Sequence, residues 1–274
     1  MSNFILGDLN TKFKVGSADC RVYLGDTCVY SGDTPTPHDY SADYLTYVAL
    51  GDNFVLSWST NFTNLLSYSL DSGATWSEPS IGFEVTLANS GDTIMLKGSG
   101  MTSSNIYPIG NLRPDFTVDY KVQGNIMSLL FGDNFANQTD LTGYASAFKF
   151  FFQGATKTTP NEHLLSVENL VLPATTLAQS CYASMFLNCK SITTAPILPA
   201  ATLTLECYQA MFRGCTSLNS ITCLATDISA SNCINGWTNN VAASGTFTKA
   251  ASMTSWTSGT SGLPSGWTVV DYNG

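Results

Sequence analysis

The stretch LPATTLAQSCYASMFLNC at residues 172–189 returns as LPAATLTLECYQAMFRGC at residues 198–215. The offset between the two copies is constant, since 198 − 172 and 215 − 189 both equal 26, and it is called here the repeat period. Leu224 and Cys233 continue the same phase in a third, degenerate copy. A fixed period of this size predicts stacked units, each unable to bury its apolar side alone.

Each unit contains a segment with the alternation of a short strand, at residues 192–197 and again at residues 218–223. Stacking in phase predicts three inward pairs, which are Ile192 with Leu218, Ala195 with Ile221, and Ile197 with Cys223. Pro173 and Pro199 follow the strand positions and stop the strands from continuing.

The other side of each unit, residues 181–186 and 207–212, carries apolar residues at helical spacing. It therefore predicts two short helices. Residues 126–274 are expected to form a short β/α solenoid of the leucine-rich-repeat type. We expect Trp256 and residues 266–272 to cap its last apolar face.

The first 35 residues predict a small β unit. Residues 21–30 are two β-prone runs around Gly25-Asp26, a dipeptide suited to a two-residue hairpin turn. That turn pairs Leu24 with Thr27 and Tyr23 with Cys28. It also places Cys20 opposite Ser31, which disfavours a bond between Cys20 and Cys28.

Residues 36–125 predict a β-sandwich of the immunoglobulin-like kind, preceded by a Pro-rich connector. Short apolar runs alternate with Gly, Asp and Ser clusters at the spacing of a sandwich. The predicted strands cover residues 44–50, 54–58, 65–70, 83–87, 93–97 and 116–122. The whole chain is therefore expected to be mainly β, with three domains at 1–35, 36–125 and 126–274.

The composition restricts the partners of the protein. Charged residues make up 11% of the chain, against about 25% in a typical globular protein. The net charge of −9 and the lack of any basic run argue against nucleic acid. A surface of Ser, Thr, Asn and Gly is typical of extracellular or virion proteins. The sequence shows neither a signal-peptide pattern nor an apolar run of about 20 residues that predicts a membrane span.

The eight cysteines allow two interpretations. An even number suggests disulfides in an exported protein, whereas a bacterial cytoplasm would keep the thiols reduced. Six of the eight lie in or beside the repeat, which explains their spacing as buried positions. Neither these cysteines nor His38 and His163 have the spacing of a metal site, so we predict no metal and no cofactor.

No catalytic set stands out. Residues 69–76 match the S-x-D-x-G-x-x-W Asp-box of sialidase-like propellers, but that motif stabilises a hairpin and carries no chemistry. A sialidase would need an arginine cluster, and the chain has only Arg21, Arg113 and Arg213. The acidic pairs Glu162 with Glu168 and Asp227 with Glu206 lack supporting motifs. We predict no catalytic residues and no enzyme activity.

The repeated phrase Leu-Pro-Ala-x-Thr-Leu…Cys-Tyr-x-x-Met-Phe-x-x-Cys-x-Ser resembles the BspA-type leucine-rich repeats of gut Bacteroidetes and their bacteriophages. Residues 122–135 are similar to the usual lead-in of such proteins, and residues 224–270 to their closing segment. The hairpin at residues 22–30 is similar to hairpins of phage structural proteins. The resemblance implies surface adhesion or a virion appendage, such as a fibre of crAss-like phages, and implies no enzyme.

These observations predict a virion structural protein that is assembled in the host cytoplasm and released by lysis. We expect binding of a host-surface glycan or protein through the hydroxyl-rich strand residues Thr193, Thr194, Ser220 and Thr222. Other virion proteins and copies of the same chain are the expected partners, because virion appendages sit on symmetric platforms. The alternatives are a bacterial surface adhesin of the BspA type and a glycan-active enzyme.

Overall fold

The computed structural model describes residues 21–24, 27–31, 38–58, 66–80, 82–98, 112–154, 159–259 and 261–273. The chain divides into two compact units, Met1–Asp39 and Tyr40–Gly274. The described residues are mainly β, as predicted, with several open sheets and one short α-helix.

The first unit contains an antiparallel hairpin of β1 (Arg21–Leu24) and β2 (Thr27–Ser31). Leu24 pairs with Thr27 and Tyr23 with Cys28, which confirms the predicted two-residue connection. The register then shifts between Val22 and Tyr23, so that Arg21 pairs with Ser31. The predicted pairing of Cys20 with Ser31 is therefore wrong, because Arg21 takes that place; Cys20 itself lies outside the described residues.

Within the described ranges, the second unit is built from twelve strands and the helix α1 (Ser128–Phe131). The strands are β3 (Leu45–Ala49), β4 (Phe54–Trp58), β5 (Leu66–Ser69), β6 (Glu84–Leu87), β7 (Thr93–Gly98), β8 (Leu112–Pro114), β9 (Tyr120–Asn125), β10 (Leu164–Ser166), β11 (Leu170–Val171), β12 (Ser220–Cys223), β13 (Ser244–Lys249) and β14 (Gly266–Asp271).

Two sheets pack against each other at the start of this unit. The larger has the strand order β10-β9-β3-β7-β5, with β11 also beside β9, and the smaller has the order β6-β4-β8. Buried and partly exposed residues alternate along β4 and β7, as period-two strands with one covered face require. The ring of Phe54 on the smaller sheet packs on Tyr120 and Tyr47 of the larger one, with centroids 5.2 and 6.4 Å apart.

Five of the six predicted strands of this region agree with β3 to β7 within two residues at each end. The sixth, predicted at residues 116–122, forms four residues later as β9. Phe116 has a φ of 58°, and Thr117 bonds the Asp115 carboxylate through its N–H and its hydroxyl, so a turn occupies the predicted start. The sequence did not predict the short strand β8.

β9 connects the paired sheets to the repeats. It pairs antiparallel with β3 on one side and parallel with β10 and β11 on the other. The buried hydrophobic core is continuous from Leu45 to Trp267. The domain boundary predicted at residue 125 stays a prediction, because no observation of the structure tests it.

The strand side of the repeats is a parallel sheet of order β12-β13-β14. The coil before it joins through two bridges, Thr194 with Ser220 and Leu198 with Cys223. Ile197 does not stack on Cys223 as predicted, because the spacing of paired residues falls from 26 at Thr194 to 25 at Leu198. Ile197 is 49% exposed, whereas Leu198 is fully buried.

The two predicted helices at residues 181–186 and 207–212 are wrong. The chain forms successive tight turns, in which every second N–H donates to the carbonyl three residues earlier. Four such segments, residues 141–153, 178–189, 204–215 and 230–241, are called here the first to fourth turn runs. Residues with a positive φ recur along each run, at every fourth residue in the second to fourth runs, and interrupt any α-helix. The positions are Gly143, Ser146, Phe150, Ser180, Ser184, Asn188, Glu206, Ala210, Gly214, Asn232, Gly236 and Asn240.

In the first three runs, alternate N–H groups donate to carbonyls of the next run. The N–H of Phe186, for example, donates to the carbonyl of Met211 at 2.9 Å, and that of Phe212 to the carbonyl of Trp237 at 2.8 Å. The stacking aligns equivalent side chains of successive runs in columns. Nearly parallel rings form two of them, Phe148–Tyr182–Tyr208 and Phe152–Phe186–Phe212.

Candidate functional site

Three of the four predicted binding residues lie on the solvent side of the parallel sheet. Thr194 bridges to Ser220, and Thr222 lies two residues further along β12, on the same face. Between them Ile221 points into the core and is buried. Thr193 is exposed but precedes the bridged position, so it lies beside this row and not within it.

The sheet continues this row of hydroxyls beyond the predicted residues. Ser220 pairs with Thr246, which pairs with Thr268, and Thr222 pairs with Thr248. We call Thr194, Ser220, Thr222, Thr246, Thr248 and Thr268 the hydroxyl face. Sequence reasoning missed the last three, although Thr246 and Thr248 follow Ser220 and Thr222 by one repeat period.

The hydroxyl face is neutral, and the exposed Val270, which pairs with Thr248, borders it. Neighbouring strands of a sheet lie about 4.8 Å apart, so its hydroxyls form a regular grid of groups that both donate and accept hydrogen bonds. None of its six members is ionisable. Lys249 and Asp271, on the adjoining ends of β13 and β14, form an ion pair with each other. Such a surface can bind a polar ligand, but it holds no group that could act as a general base.

The Asp-box forms a tight local turn. The Asp71 carboxylate accepts hydrogen bonds from the N–H of Thr75 at 2.9 Å and from its hydroxyl at 2.6 Å. The Ser69 hydroxyl donates to Asp71 and accepts from the N–H of Gly73. These bonds, led by that of the Thr75 hydroxyl, lower the pKa of Asp71 to about 2. The carboxylate thus serves the structure of the turn.

Trp76, at the end of the Asp-box, belongs to a cluster that joins β3 and β7 to the segment after α1. Lys97 Nζ lies 4.2 Å from the Trp76 ring centroid and 2.7 Å from a carboxylate oxygen of Asp133. The Tyr44 hydroxyl donates to the same oxygen at 2.7 Å. Burial, and then this bond to Asp133, raise the pKa of Tyr44 to about 12. The groups satisfy one another, so the cluster stabilises the fold.

Three of the four acidic residues weighed as glycosidase carboxylates have local partners. Glu162 forms an ion pair with Lys190 at 2.8 Å. Glu206 accepts a hydrogen bond from the Ser180 hydroxyl at 3.0 Å, and Asp227 accepts one from the N–H of Ser229. Each of these three carboxylates thus has a local partner of its own.

The six cysteines of the repeats are buried free thiols. Cys189 and Cys215 donate to the carbonyls of Phe152 and Phe186, each at 3.0 Å, and so occupy equivalent places in successive coils. Burial raises the pKa of all six, to about 12 for Cys207 and Cys223. Within the described ranges no group of three or more His, Cys, Asp or Glu side chains could hold a metal ion.

A groove of about 450 Å³ lies at the end of the fourth turn run. One wall is the run itself, at Thr238, Asn239 and Asn240, and the other is a loop that carries Leu263 and Ser265. Trp237 Nε1 and the Thr238 hydroxyl both donate to the carbonyl of Gly262, which holds the two walls together. The remaining lining residues are Ser258, Gly259 and Pro264.

The three C-terminal tryptophans face inward. Trp237 is fully buried, Trp267 is 7% exposed, and Trp256 packs on Phe247 with ring centroids 4.7 Å apart. Their rings cover the apolar end of the last coil and leave little surface for stacking on a sugar ring. That Trp256 and residues 266–272 cap a solenoid stays a prediction.

No protein-family model, curated protein or solved structure matches this chain. Among the residues that the structure describes, no helix is long and apolar enough to cross a membrane.

Proposed function

We propose that the protein is a non-enzymatic bacteriophage virion component, a head or tail fibre or appendage, that binds the host surface through the hydroxyl face. The observation that carries this proposal is the register of the face, where hydroxyls from four successive strand positions line up on exposed β-structure. A rigid grid of neutral donors and acceptors suits the hydroxyl groups of surface glycans or the backbone of a surface protein.

In this proposal the three regions have separate tasks. The predicted β unit of residues 1–35 attaches the chain to other virion proteins and to further copies of itself. The paired sheets act as an immunoglobulin-like spacer, and the stacked coils act as a leucine-rich-repeat-like solenoid that is displayed outward. Two observations support the solenoid: the second to fourth turn runs recur at the repeat period, and successive runs are joined by backbone hydrogen bonds.

Adhesion can be tested with the fluorescently labelled full chain on intact gut Bacteroidetes cells. Thr246→Glu places a charge in the middle of the hydroxyl face, at an exposed position paired with Ser220 and Thr268. Thr86→Glu is the matched control, since Thr86 is also an exposed strand threonine but lies on β6. We expect Thr246→Glu to reduce binding at least about tenfold and Thr86→Glu to leave it unchanged. Equal binding by both variants would exclude the hydroxyl face.

The virion assignment has its own test, which is mass spectrometry of purified particles from a phage that encodes the chain. We expect the chain at a copy number set by the particle symmetry. Its absence from particles, together with adhesion to cells, would favour the surface adhesin. Release of reducing ends from host polysaccharide by the purified chain would contradict the non-enzymatic assignment.

A further inference from the structure

The backbone hydrogen bonds between the stacked coils all point in one direction along the stack. In the second run the N–H groups of residues 180, 182, 184, 186 and 188 donate to carbonyls of the third run. In the third run the N–H groups of residues 206, 208, 210, 212 and 214 donate to carbonyls of the fourth. Every bond between these runs therefore points the same way, so each run presents donors to the following coil and acceptors to the preceding one.

Within the described part of the chain, no fifth turn run follows the fourth. Its equivalent N–H groups belong to Asn232, Ile234, Gly236, Thr238 and Asn240, and none of them donates to an acceptor within the described part of the chain. Its other N–H groups still close their local turns, for example Asn239 to the carbonyl of Gly236. The stack thus ends in a row of donors, here called the N–H edge.

The groove at the end of the fourth run lies on this edge, since Thr238 and Asn240 line it. The side-chain amides of Asn239 and Asn240 form no hydrogen bond to other described residues, so they can turn toward a ligand. No lining residue is charged, although the whole chain has a net charge of −9. The lining therefore excludes the carboxylates that are found elsewhere on the protein.

We propose that the groove at the N–H edge binds an oxyanion, a carboxylate or sulfate group such as those of acidic sugars. Aligned backbone N–H groups form a positive pole, and such poles bind anions without a cationic side chain. The bonds between the coils are parallel, so their dipoles add along the stack and place the positive end at this groove.

Because the N–H edge offers only donors, it also argues against two other classes of ligand, cations and added peptide strands. A cation would meet the hydrogen ends of the N–H dipoles and would be repelled. An added peptide strand needs donors and acceptors in alternation, and the N–H edge offers donors. The proposal is independent of the virion assignment and of the hydroxyl face, because it depends only on the fourth run and on the loop that forms the other wall of the groove.

The test is titration of the ¹⁵N-labelled full chain, with amide chemical shifts as the readout. Sodium glucuronate and glucose form the decisive pair, since both are six-carbon sugars and only glucuronate carries a carboxylate. Sodium sulfate tests the oxyanion without a sugar. We expect saturable shifts at the amides of Thr238 and Asn240 with glucuronate and sulfate, weakening as sodium chloride is added, and no shift with glucose.

Asn240→Asp supplies the variant control, because it keeps the shape of an exposed side chain and adds a negative charge to the groove. Asn235→Asp adds the same charge at an exposed position of the same run that does not line the groove. We expect at least about tenfold weaker glucuronate binding for Asn240→Asp and a much smaller change for Asn235→Asp.

Three outcomes would overturn the proposal: no shift with either anion, equal shifts with glucose, or equal weakening by the two variants. The adhesion test remains separate. Asn240→Asp should not change cell binding through the hydroxyl face, and Thr246→Glu should not change glucuronate binding.

Discussion

The rings of Phe186 and Phe212 stack with centroids 5.6 Å apart and planes 9° from parallel. The two residues are one repeat period apart and both are fully buried. Trp237 continues the column at 6.2 Å from Phe212. This contact shows how the repeat becomes a core: each coil supplies one layer, and the layers are held by the bonds between the turn runs.

Phe212→Ala should remove the middle of this column and leave a cavity between Phe186 and Trp237. We expect a loss of about 3–5 kcal/mol in the free energy of unfolding, measured by urea denaturation. Ile197→Ala is the control, because Ile197 is 49% exposed and should cost far less. Similar losses for the two variants would show that Phe212 is not a core layer.

Tyr208→Phe should leave stability unchanged or increase it. The Tyr208 hydroxyl is buried and forms no hydrogen bond to the described residues, and Tyr182 in the neighbouring layer is in the same position. A buried hydroxyl without a partner is costly, so its removal should raise the free energy of unfolding by as much as about 1–3 kcal/mol. Phe148 already occupies the equivalent place in the first run. A loss of more than about 1 kcal/mol would mean that the hydroxyl has a stabilising partner.

The six buried thiols should resist alkylation in the folded protein. In a Cys20→Ser/Cys28→Ser variant, which leaves only these six, we expect no iodoacetamide adduct by intact mass at pH 8. In guanidinium chloride we expect six adducts. Rapid labelling of the folded variant would contradict the burial.

Stability should also fall as the pH rises above about 9. An unfolded thiol ionises near pH 8.5, whereas the folded pKa of Cys207 and Cys223 is about 12. Between these values the unfolded chain releases protons that the folded chain retains, so ionisation favours unfolding. Urea denaturation at pH 8 and pH 10 measures the decline, which Cys223→Ala should reduce. A free energy of unfolding that does not change between pH 8 and pH 10 would contradict the raised pKa values of these thiols.

Asp71 should titrate far below an ordinary aspartate. We expect a midpoint near pH 2 for its carboxyl ¹³C shift, because the bonds from Thr75 and Ser69 favour the ionised form. The hairpin gains from these bonds above the unfolded pKa of about 4, and the gain is lost as the pH falls through 2. Thr75→Val removes the largest contribution and should raise the midpoint. A midpoint near 4 in the unmodified chain would show that the turn is open.

The repeat period was enough to predict the stacked coils and most of their buried positions. It could not distinguish a helix from a turn run, because apolar pairs such as Cys207-Tyr208 and Met211-Phe212 recur every four residues in both. The difference lies in positive φ values at residues such as Ser184 and Ala210, whose side chains do not indicate them.

The hydroxyl face was also predictable only in part from the repeat. Thr194, Ser220 and Thr222 were found from the alternation of a strand, and the unbroken phase of the repeat could have added Thr246 and Thr248. Thr268 follows Thr246 by less than one repeat period. The loop before β14 is therefore shorter than in the other units, and a fixed period cannot predict which residue pairs with Thr246. The N–H edge has no side-chain signature, because it is made by backbone where the stack ends.

Amide hydrogen exchange followed by NMR tests the stacking of the coils most directly. The N–H groups that bond between runs, such as those of Tyr182, Phe186, Tyr208 and Phe212, should exchange slowly, near the rate set by global unfolding. The corresponding N–H groups of Ile234 and Thr238, in the fourth run, should exchange much faster, although both residues are buried. Equal protection of these N–H groups in the second, third and fourth runs would contradict a stack whose bonds point one way and end at the N–H edge. Fast exchange in all three of these runs would contradict it as well.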